Sequence, residues 1–200
     1  HEQVSIGRDA VVIGGSIAGL LAAHSLAAHF ERVTILERDA LPPQAALRAG
    51  TPQARHVHTL LPDALGLLEQ LVPGFIDVLI VGGAWRVDAL HEMAVFSGGA
   101  WHPPTPAAAD RGVALAFSRP YAEAVLRQRV AALPNVVVLT GLEVIGLITD
   151  ADRSTVVAVQ VRRRGSLKDG PEDLPADLVV DASGRGSQAP RWLSRLGLTP

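Results

Sequence analysis

The chain has 200 residues, of which 48% are hydrophobic and 19% are charged, and its formal net charge is −2. This composition excludes a disordered chain and gives no sign of a nucleic-acid partner. The sequence contains no cysteine, which excludes disulfides, iron–sulfur clusters and thiol catalysis and fits a reducing compartment. It has neither an apolar run of roughly 18 residues, as a membrane span needs, nor a signal-peptide layout. We therefore predict a cytoplasmic protein without a transmembrane segment.

Residues 9–38 carry the most informative pattern, which is strand, glycine turn, helix, strand and acid. The β-branched residues 11–13 are typical of a strand buried on both faces of a sheet. The alanine- and leucine-rich residues 17–29 predict a helix. A second apolar run, residues 33–36, ends at Glu37. This layout is that of a βαβ unit that binds a dinucleotide.

The residue types in this turn suit a diphosphate. Gly14 allows a sharp turn after the strand, and Gly19 allows the helix to pack closely on it. Ser16, at the second glycine position, is small enough for the backbone to approach a pyrophosphate, which the helix N-terminus attracts. Glu37 is expected to accept hydrogen bonds from ribose hydroxyls, which favours FAD or NAD over NADP. An ordinary glycine turn between core elements is the alternative.

The loop over residues 41–58 contains Arg55, His56 and His58. A loop of this length in a compact domain is usually functional or disordered. The His-x-His pair lacks a third ligand, so we predict no metal site. A helix is predicted over residues 62–71.

The next part of the chain does not have the βαβ pattern. Residues 84–90 and 93–96 are short and partly alternating, and a glycine- and proline-rich loop is predicted over residues 98–106. These segments indicate an inserted antiparallel sheet. Trp85 and Trp101 either line a pocket or pack at the edge of that sheet.

A strand is predicted over residues 113–117, followed by a helix over 121–133 with a buried stripe. Arg119, Glu123 and Arg127 share another stripe at a spacing of four. From composition alone, a solvated ladder of ion pairs is favoured for these three side chains.

Three further strands are predicted over residues 136–139, 143–149 and 155–163. The arginine run 162–164 is expected in a solvated turn, and residues 166–175 in a surface connection.

The last strand is predicted to end on Asp181, and a turn of small residues that includes Gly184 and Arg185 follows it. The carboxyl ends of parallel strands lie at one edge of a sheet. This turn is therefore expected near the first glycine turn, where the two would bind one extended ligand or two ligands.

Three stretches together resemble the FAD-dependent monooxygenases with the p-hydroxybenzoate-hydroxylase fold, in particular polyether-epoxidase and geranylgeranyl-reductase-like proteins. They are V-V-I-G-G-S-I-A-G-L with Glu37, Q-A-R-H-V-H-T-L-L-P-D-A-L with S-R-P-Y-A-E-A-V-L-R, and V-V-D-A-S-G-R-G-S. The resemblance implies an α/β fold: a Rossmann-like FAD-binding parallel sheet with an inserted antiparallel β layer, which is an incomplete substrate domain. The implied segments are FAD-binding residues 9–74, substrate-side residues 75–112, and FAD-binding residues 113–200 with a β-meander.

The resemblance also implies residue roles at the adenosine end of FAD. Glu37 would hold the ribose and Arg38 would lie beside the adenine. The residues that would contact the diphosphate are Gly14, Gly15, Ser16, Ala18 and Gly19. Replacement of Gly14 by valine or of Glu37 by alanine is expected to weaken or abolish FAD binding and leave the fold intact.

Nearer the flavin, Arg55 and Arg127 match arginines of the family. Arg55 and His56 are the candidate catalytic residues, as electrostatic or positioning groups. The residues that match the motif supporting FAD and the reductant are Asp181, Gly184 and Arg185. A turn cap is the alternative for Asp181.

The implied activity is that of an FAD-dependent epoxidase or hydroxylase. NADH or NADPH would reduce FAD, and one oxygen atom would pass from a flavin hydroperoxide to a small polyene, polyketide or aromatic substrate. The alternatives are a reductase or dehydrogenase of isoprenoid double bonds and a non-catalytic nucleotide-binding fragment. Family members carry a further Gly-Asp motif and more of the substrate sheet. Neither precedes Pro200, so a missing C-terminal half is expected, in the same chain or a separate one.

Overall fold

The computed structural model describes residues 5–88, 92, 94–103, 113–165 and 170–198. The chain divides into two compact units. The first comprises His1–Pro43, Arg48–Thr51 and Leu126–Pro200, and the second Gln44–Leu47 and Pro52–Val125. These units differ in their boundaries from the predicted segments 9–74, 75–112 and 113–200, whose roles stay a prediction.

The described residues form both helices and strands. In chain order they are β1 (Gly7–Ile13), α1 (Ile17–Leu26), β2 (Phe30–Glu37), β3 (His58–Leu60), α2 (Pro62–Leu71), α3 (Phe75–Val81), β4 (Trp85–Val87), β5 (Val95–Ser97), β6 (Ala100–His102), β7 (Ala114–Phe117), α4 (Arg119–Ala131), β8 (Val136–Thr140), β9 (Leu142–Thr149), β10 (Val156–Arg163), β11 (Glu172–Pro175), β12 (Leu178–Asp181) and α5 (Ala189–Arg195).

A parallel sheet with strand order β12-β1-β2-β8 forms the centre of the first unit. Val11 on β1 pairs with Thr34 on β2 and with Val179 on β12. Val12 and Ile35 are completely buried, because the middle strands of a parallel sheet are covered on both faces. The predicted parallel sheet is confirmed, and all of its strands end at one edge.

Helix α1 follows β1 and buries Leu20 and Ala23. It ends at Leu26, three residues before the predicted end at position 29. The amide of Asn135 donates to the carbonyl oxygens of Ala27 and Phe30, at 2.8 and 2.9 Å, and so fixes the turn between α1 and β2.

A three-stranded antiparallel meander, β9-β10-β11, packs on this sheet. Val159 and Val161 of β10 share a buried cluster with Val11 and Leu36 of the parallel sheet. The surface connection predicted over residues 166–175 contains strand β11, whose Leu174 pairs with Val159 and packs against this cluster, while Glu172 and Asp173 are exposed as predicted. Residues 166–169 lie outside the described residues.

The arginine run is also not a purely solvated turn. Arg162 forms an ion pair with Glu143 across β9 and β10, and Arg164 forms one with Asp39. Opposite charges on neighbouring strands stabilise their register.

The second unit contains the antiparallel sheet β3-β7-β4 and the hairpin β5-β6, which confirms the antiparallel insertion. Residues 100–102 form β6, where a loop was predicted. Residues 89–91, 93 and 104–112, on which parts of the predicted segments 84–90, 93–96 and 98–106 fall, lie outside the described residues. Trp85 and Trp101 are largely exposed, and the Trp101 ring lies 5.3 Å from that of Phe96, centroid to centroid.

The apolar residues Phe75–Val81 form helix α3, whose first amides are capped by Glu69. Within the described ranges, no single helix has the length and apolar character of a membrane span. Helices α2 and α3 reach that criterion only as a pair, which is bent by 114° at the break.

The buried stripe predicted for α4 is confirmed at Ala122, Leu126 and Val130. Glu123, however, is 5% exposed. The solvated ion-pair ladder favoured from composition was therefore wrong at this position.

Candidate cofactor site at the edge of the parallel sheet

The turn between β1 and α1 and the first turn of α1 have little space for side chains at their glycines. Gly14 has a φ of +106°, and a Cβ there would lie 2.6 Å from the carbonyl oxygen of Ala182. A Cβ on Gly19 would overlap the carbonyl oxygen of Gly14. The expectation that valine at position 14 leaves the fold intact is therefore wrong, because it would strain the backbone and displace the neighbouring chain.

Glu37 stands at the end of β2 with both carboxylate oxygens oriented by backbone groups. Its Oε2 accepts a hydrogen bond from Gly15 N at 2.9 Å, and its Oε1 accepts one from Asp39 N at 2.9 Å. The side chain is only 6% exposed. Each carboxylate oxygen can accept more than one hydrogen bond, so this geometry leaves capacity for ribose hydroxyls.

A cluster of charged side chains surrounds this acid. Arg48 Nη1 lies 3.3 Å from Glu37 Oε2 and 3.2 Å from Asp39 Oδ2. Asp39 also accepts from Arg164 Nη1 at 2.7 Å and from Gly50 N at 2.7 Å. Burial opposes ionisation of Asp39, but the hydrogen bonds from Gly50, Arg164 and Arg48 outweigh it and lower its pKa below the ordinary value.

Sequence reasoning missed Asp39, Arg48 and Arg164 as members of this site. Arg48 stood in a predicted loop and Arg164 in a predicted turn, where isolated charges are usually solvated. The one local signal was that Asp39 follows Glu37 by two residues. Asp39 and Arg164 are 125 positions apart in the chain, and no local pattern could predict that they form an ion pair.

The second turn follows β12 and is closed by its own side chains. Asp181 Oδ1 accepts from Ser183 N at 2.9 Å and from Ser183 Oγ at 2.5 Å, and its Oδ2 accepts from Ser187 Oγ at 2.5 Å. Burial raises the pKa of Asp181, but these hydrogen bonds outweigh it and the net pKa is lowered. These hydrogen bonds cap the turn, which is the alternative role predicted for Asp181. The role of Asp181 in supporting FAD stays a prediction.

The two turns and the end of β2 line one cleft of about 340 Å³, within the range of roughly 300–1,000 Å³ typical of small-molecule pockets. The residues that line it from these three segments include Gly14, Ser16, Glu37, Arg38, Ser183 and Gly186, and Arg48 lines it from the loop after β2. Glu143, Gln188 and Trp192 line it as well. The structure thus brings several predicted cofactor residues together at the carboxyl edge of the sheet.

Other predicted site residues are placed differently. Arg127 Nη2 donates to the carbonyl oxygen of Pro42 at 2.6 Å, and Ala18 and Arg185 are exposed. Arg55 and His56 are exposed residues of the second unit, so their position near a flavin stays a prediction.

The cleft fits the adenosine diphosphate part of a dinucleotide. Gly14 and Ser16, the residue that precedes α1, line the cleft, and amide groups at a helix N-terminus suit a diphosphate. The buried carboxylate of Glu37 suits the ribose.

Comparisons with known proteins agree with this geometry. The family described as FAD binding domain matches residues 8–194. Protein Rv3254 of Mycobacterium tuberculosis (strain ATCC 25618 / H37Rv) is 37% identical over 196 residues, which cover 94% of this chain and 40% of that protein.

Among solved structures, the chain is similar to PqsL, a probable FAD-dependent monooxygenase from Pseudomonas aeruginosa, with 19% identity and a TM-score of 0.69. The match covers 94% of this chain and 46% of PqsL. p-Nitrophenol 4-monooxygenase PnpA from Pseudomonas putida DLL-E4 gives 19% identity and a TM-score of 0.62, with 94% and 44% covered. The chain therefore spans less than half the length of each relative, and at this identity the structures confirm the fold alone.

Proposed function

Since the chain belongs to the family of FAD-binding domains, we propose that it binds FAD and forms the cofactor-binding part of an FAD-dependent monooxygenase. The observation that carries the proposal is the cleft in which the crowded glycine turn and the buried Glu37 carboxylate meet. This is the arrangement by which parallel-sheet folds hold the diphosphate and ribose of a dinucleotide.

Each part of the cleft has a role in this proposal. Gly14, Gly15 and Ser16 let the backbone come close to the diphosphate, and the amides at the start of α1 hold it. The amides of Gly14 and Gly15 themselves bond to Leu36 O and Glu37 Oε2. Glu37 accepts from the ribose, and Arg38, which lines the cleft, lies beside the adenine. Asp181 holds the second turn in shape, so that Ser183 and Gly186 stay at the cleft wall.

When bound, the flavin supplies the redox chemistry that activates dioxygen, with NADH or NADPH as the reductant. The residues of this chain bind and orient the cofactor. Arg127 has a positioning role, because its bond to Pro42 holds the chain that leaves β2. Arg55 and His56 are proposed as electrostatic groups near the flavin.

The proposed substrate is a small hydrophobic compound, with an aromatic compound favoured over a polyene or polyketide. The support for this preference is that PqsL has been solved in complex with 2-aminobenzoylacetate. A C-terminal part, in the same chain or a separate one, completes the substrate side in this proposal, because the chain spans 40% of Rv3254. A cytoplasmic location belongs to the same proposal.

FAD binding is tested by titrating the purified protein with FAD and following flavin fluorescence. We expect saturable binding that is weakened about tenfold or more by Glu37→Gln, since a hydrogen bond to a charged group is lost. Glu31→Gln is the matched control, because Glu31 is an exposed acid on the same strand. Absence of FAD binding by the unaltered protein would contradict the proposal.

The reaction class is tested on the chain together with the C-terminal part that completes its substrate side, with ¹⁸O₂ and a panel of small aromatic compounds in the presence of NADH or NADPH. Incorporation of one labelled oxygen atom into the product is expected. Product formation without dioxygen would instead support the reductase alternative, which the fold by itself permits.

A further inference from the structure

Arg48 is shared between two buried acids at the ribose end of the cleft. Its Nη1 atom lies 3.3 Å from Glu37 Oε2 and 3.2 Å from Asp39 Oδ2. The three side chains are 6 to 9% exposed, so their charges interact with little screening by water. The charge of this arginine is therefore divided between the acid assigned to the ribose and an acid with no assigned role.

Asp39 is held firmly in this arrangement. Its Oδ2 accepts from Gly50 N at 2.7 Å, and its Oδ1 accepts from Arg164 Nη1 at 2.7 Å. A Cβ on Gly50 would overlap Asp39 Oδ2, so the backbone there is in close contact with the carboxylate. Asp39 is thus fixed from two sides while it contacts Arg48.

We propose that Asp39, supported by Arg164, is a positioning residue that keeps Glu37 available to the cofactor ribose. A guanidinium facing one carboxylate tends to pair with it closely and to occupy its lone pairs. Because Asp39 takes a share of the Arg48 charge, Glu37 retains its strength as an acceptor for the ribose hydroxyls. This inference rests on the proposed FAD-binding function and assigns a role in it to Asp39.

The test compares the binding of ADP with that of 2′,3′-dideoxy-ADP, which lacks both ribose hydroxyls, by calorimetry. The unaltered protein is expected to bind ADP more tightly. In Asp39→Asn the affinity for ADP should fall about tenfold while that for the dideoxy nucleotide stays within about twofold. Arg164→Gln should show a smaller loss in the same direction, because its side chain is 52% exposed.

Asp177→Asn is the matched control. Like Asp39, Asp177 accepts backbone hydrogen bonds in the first unit, in its case from Arg8 N and Asp9 N, but it does not line the cleft. This variant should lose stability and keep the preference for ADP. If Asp39→Asn fails to fold, Arg164→Gln provides the same comparison.

Two results for Asp39→Asn would overturn the inference. Equal loss of affinity for both nucleotides would indicate a purely structural role, and no loss for either would show that Asp39 does not affect ribose binding. These outcomes differ from failure of the proposed function. If the proposed function is wrong, the unaltered protein itself would bind neither FAD nor ADP, or would bind ADP and its dideoxy form equally well.

Discussion

The two glycine turns at the edge of the parallel sheet follow similar strands but differ in how they use space and charge. At the first turn, Gly14 is packed against the backbone of Ala182. At the second turn, Gly184 also has a positive φ, of +75°, yet a Cβ there would meet nothing within 4 Å. The glycine of the first turn is therefore required by both its positive φ and the close approach of another backbone segment, whereas the glycine of the second turn is required by its positive φ alone.

The acids beside the two turns differ in the segments that they contact. Glu37 belongs to the neighbouring strand and links Gly15 with Asp39 and Arg48. Asp181 is bonded within its own turn by Ser183 and Ser187. An acid at the end of a strand beside a glycine turn can therefore contact a ligand or cap its own turn. The sequence pattern is the same in both cases, and the hydrogen bonds of the acid are what differ.

The largest expected effect comes from adding one methyl group to each glycine. Gly14→Ala should lower the free energy of unfolding by about 3 kcal/mol, because backbone strain and a clash with Ala182 combine. Gly184→Ala should cost only about 1 kcal/mol, from conformation alone. Urea denaturation of both variants measures the difference. Equal losses would refute the crowding at Gly14.

The next effect separates the two acids by function. Glu37→Gln should weaken ADP binding about tenfold or more, because charged hydrogen bonds to the ribose are lost. Asp181→Asn should lower the free energy of unfolding by about 1 kcal/mol and weaken ADP binding by less than about twofold, because Asp181 shapes the cleft wall without lining the cleft itself. Titration of each variant with ADP, alongside its denaturation curve, makes the comparison. A larger loss of affinity in Asp181→Asn would reverse the assignment.

The smallest effect is the pH dependence of the second turn. Although burial opposes ionisation, hydrogen bonds from Ser183 and Ser187 lower the pKa of Asp181 in the folded state. The stabilisation is therefore complete above the unfolded-state pKa of about 3.9 and is lost as the pH falls through the lower folded-state value. The stability difference between the unaltered protein and Asp181→Asn should shrink below about pH 4. A difference that grows on acidification would contradict this linkage.

Short-range patterns predicted much of the fold. The apolar runs 11–13 and 33–36 indicated buried strands and the periodicity of the α4 stripe indicated an amphipathic helix, and the structure contains them. Helix α3 was not assigned in advance, because a short, fully apolar run has the same composition in a buried strand and a buried helix. Strand β11 was missed because it is polar and short, and its pairing with β10 comes from tertiary contact.

For this protein, the sequence by itself determined the strand–turn–helix unit and the position of Glu37 at the end of β2, because sterics and strand or helix periodicity act over a few residues. The tertiary structure decided what surrounds them. Ala182 closes the space beside Gly14, and Asp39 and Arg48 gather around Glu37, by contacts between distant segments that no local preference specifies. Glu37 lines the cleft within this cluster, whereas Asp181 is bonded by Ser183 and Ser187 within its own turn.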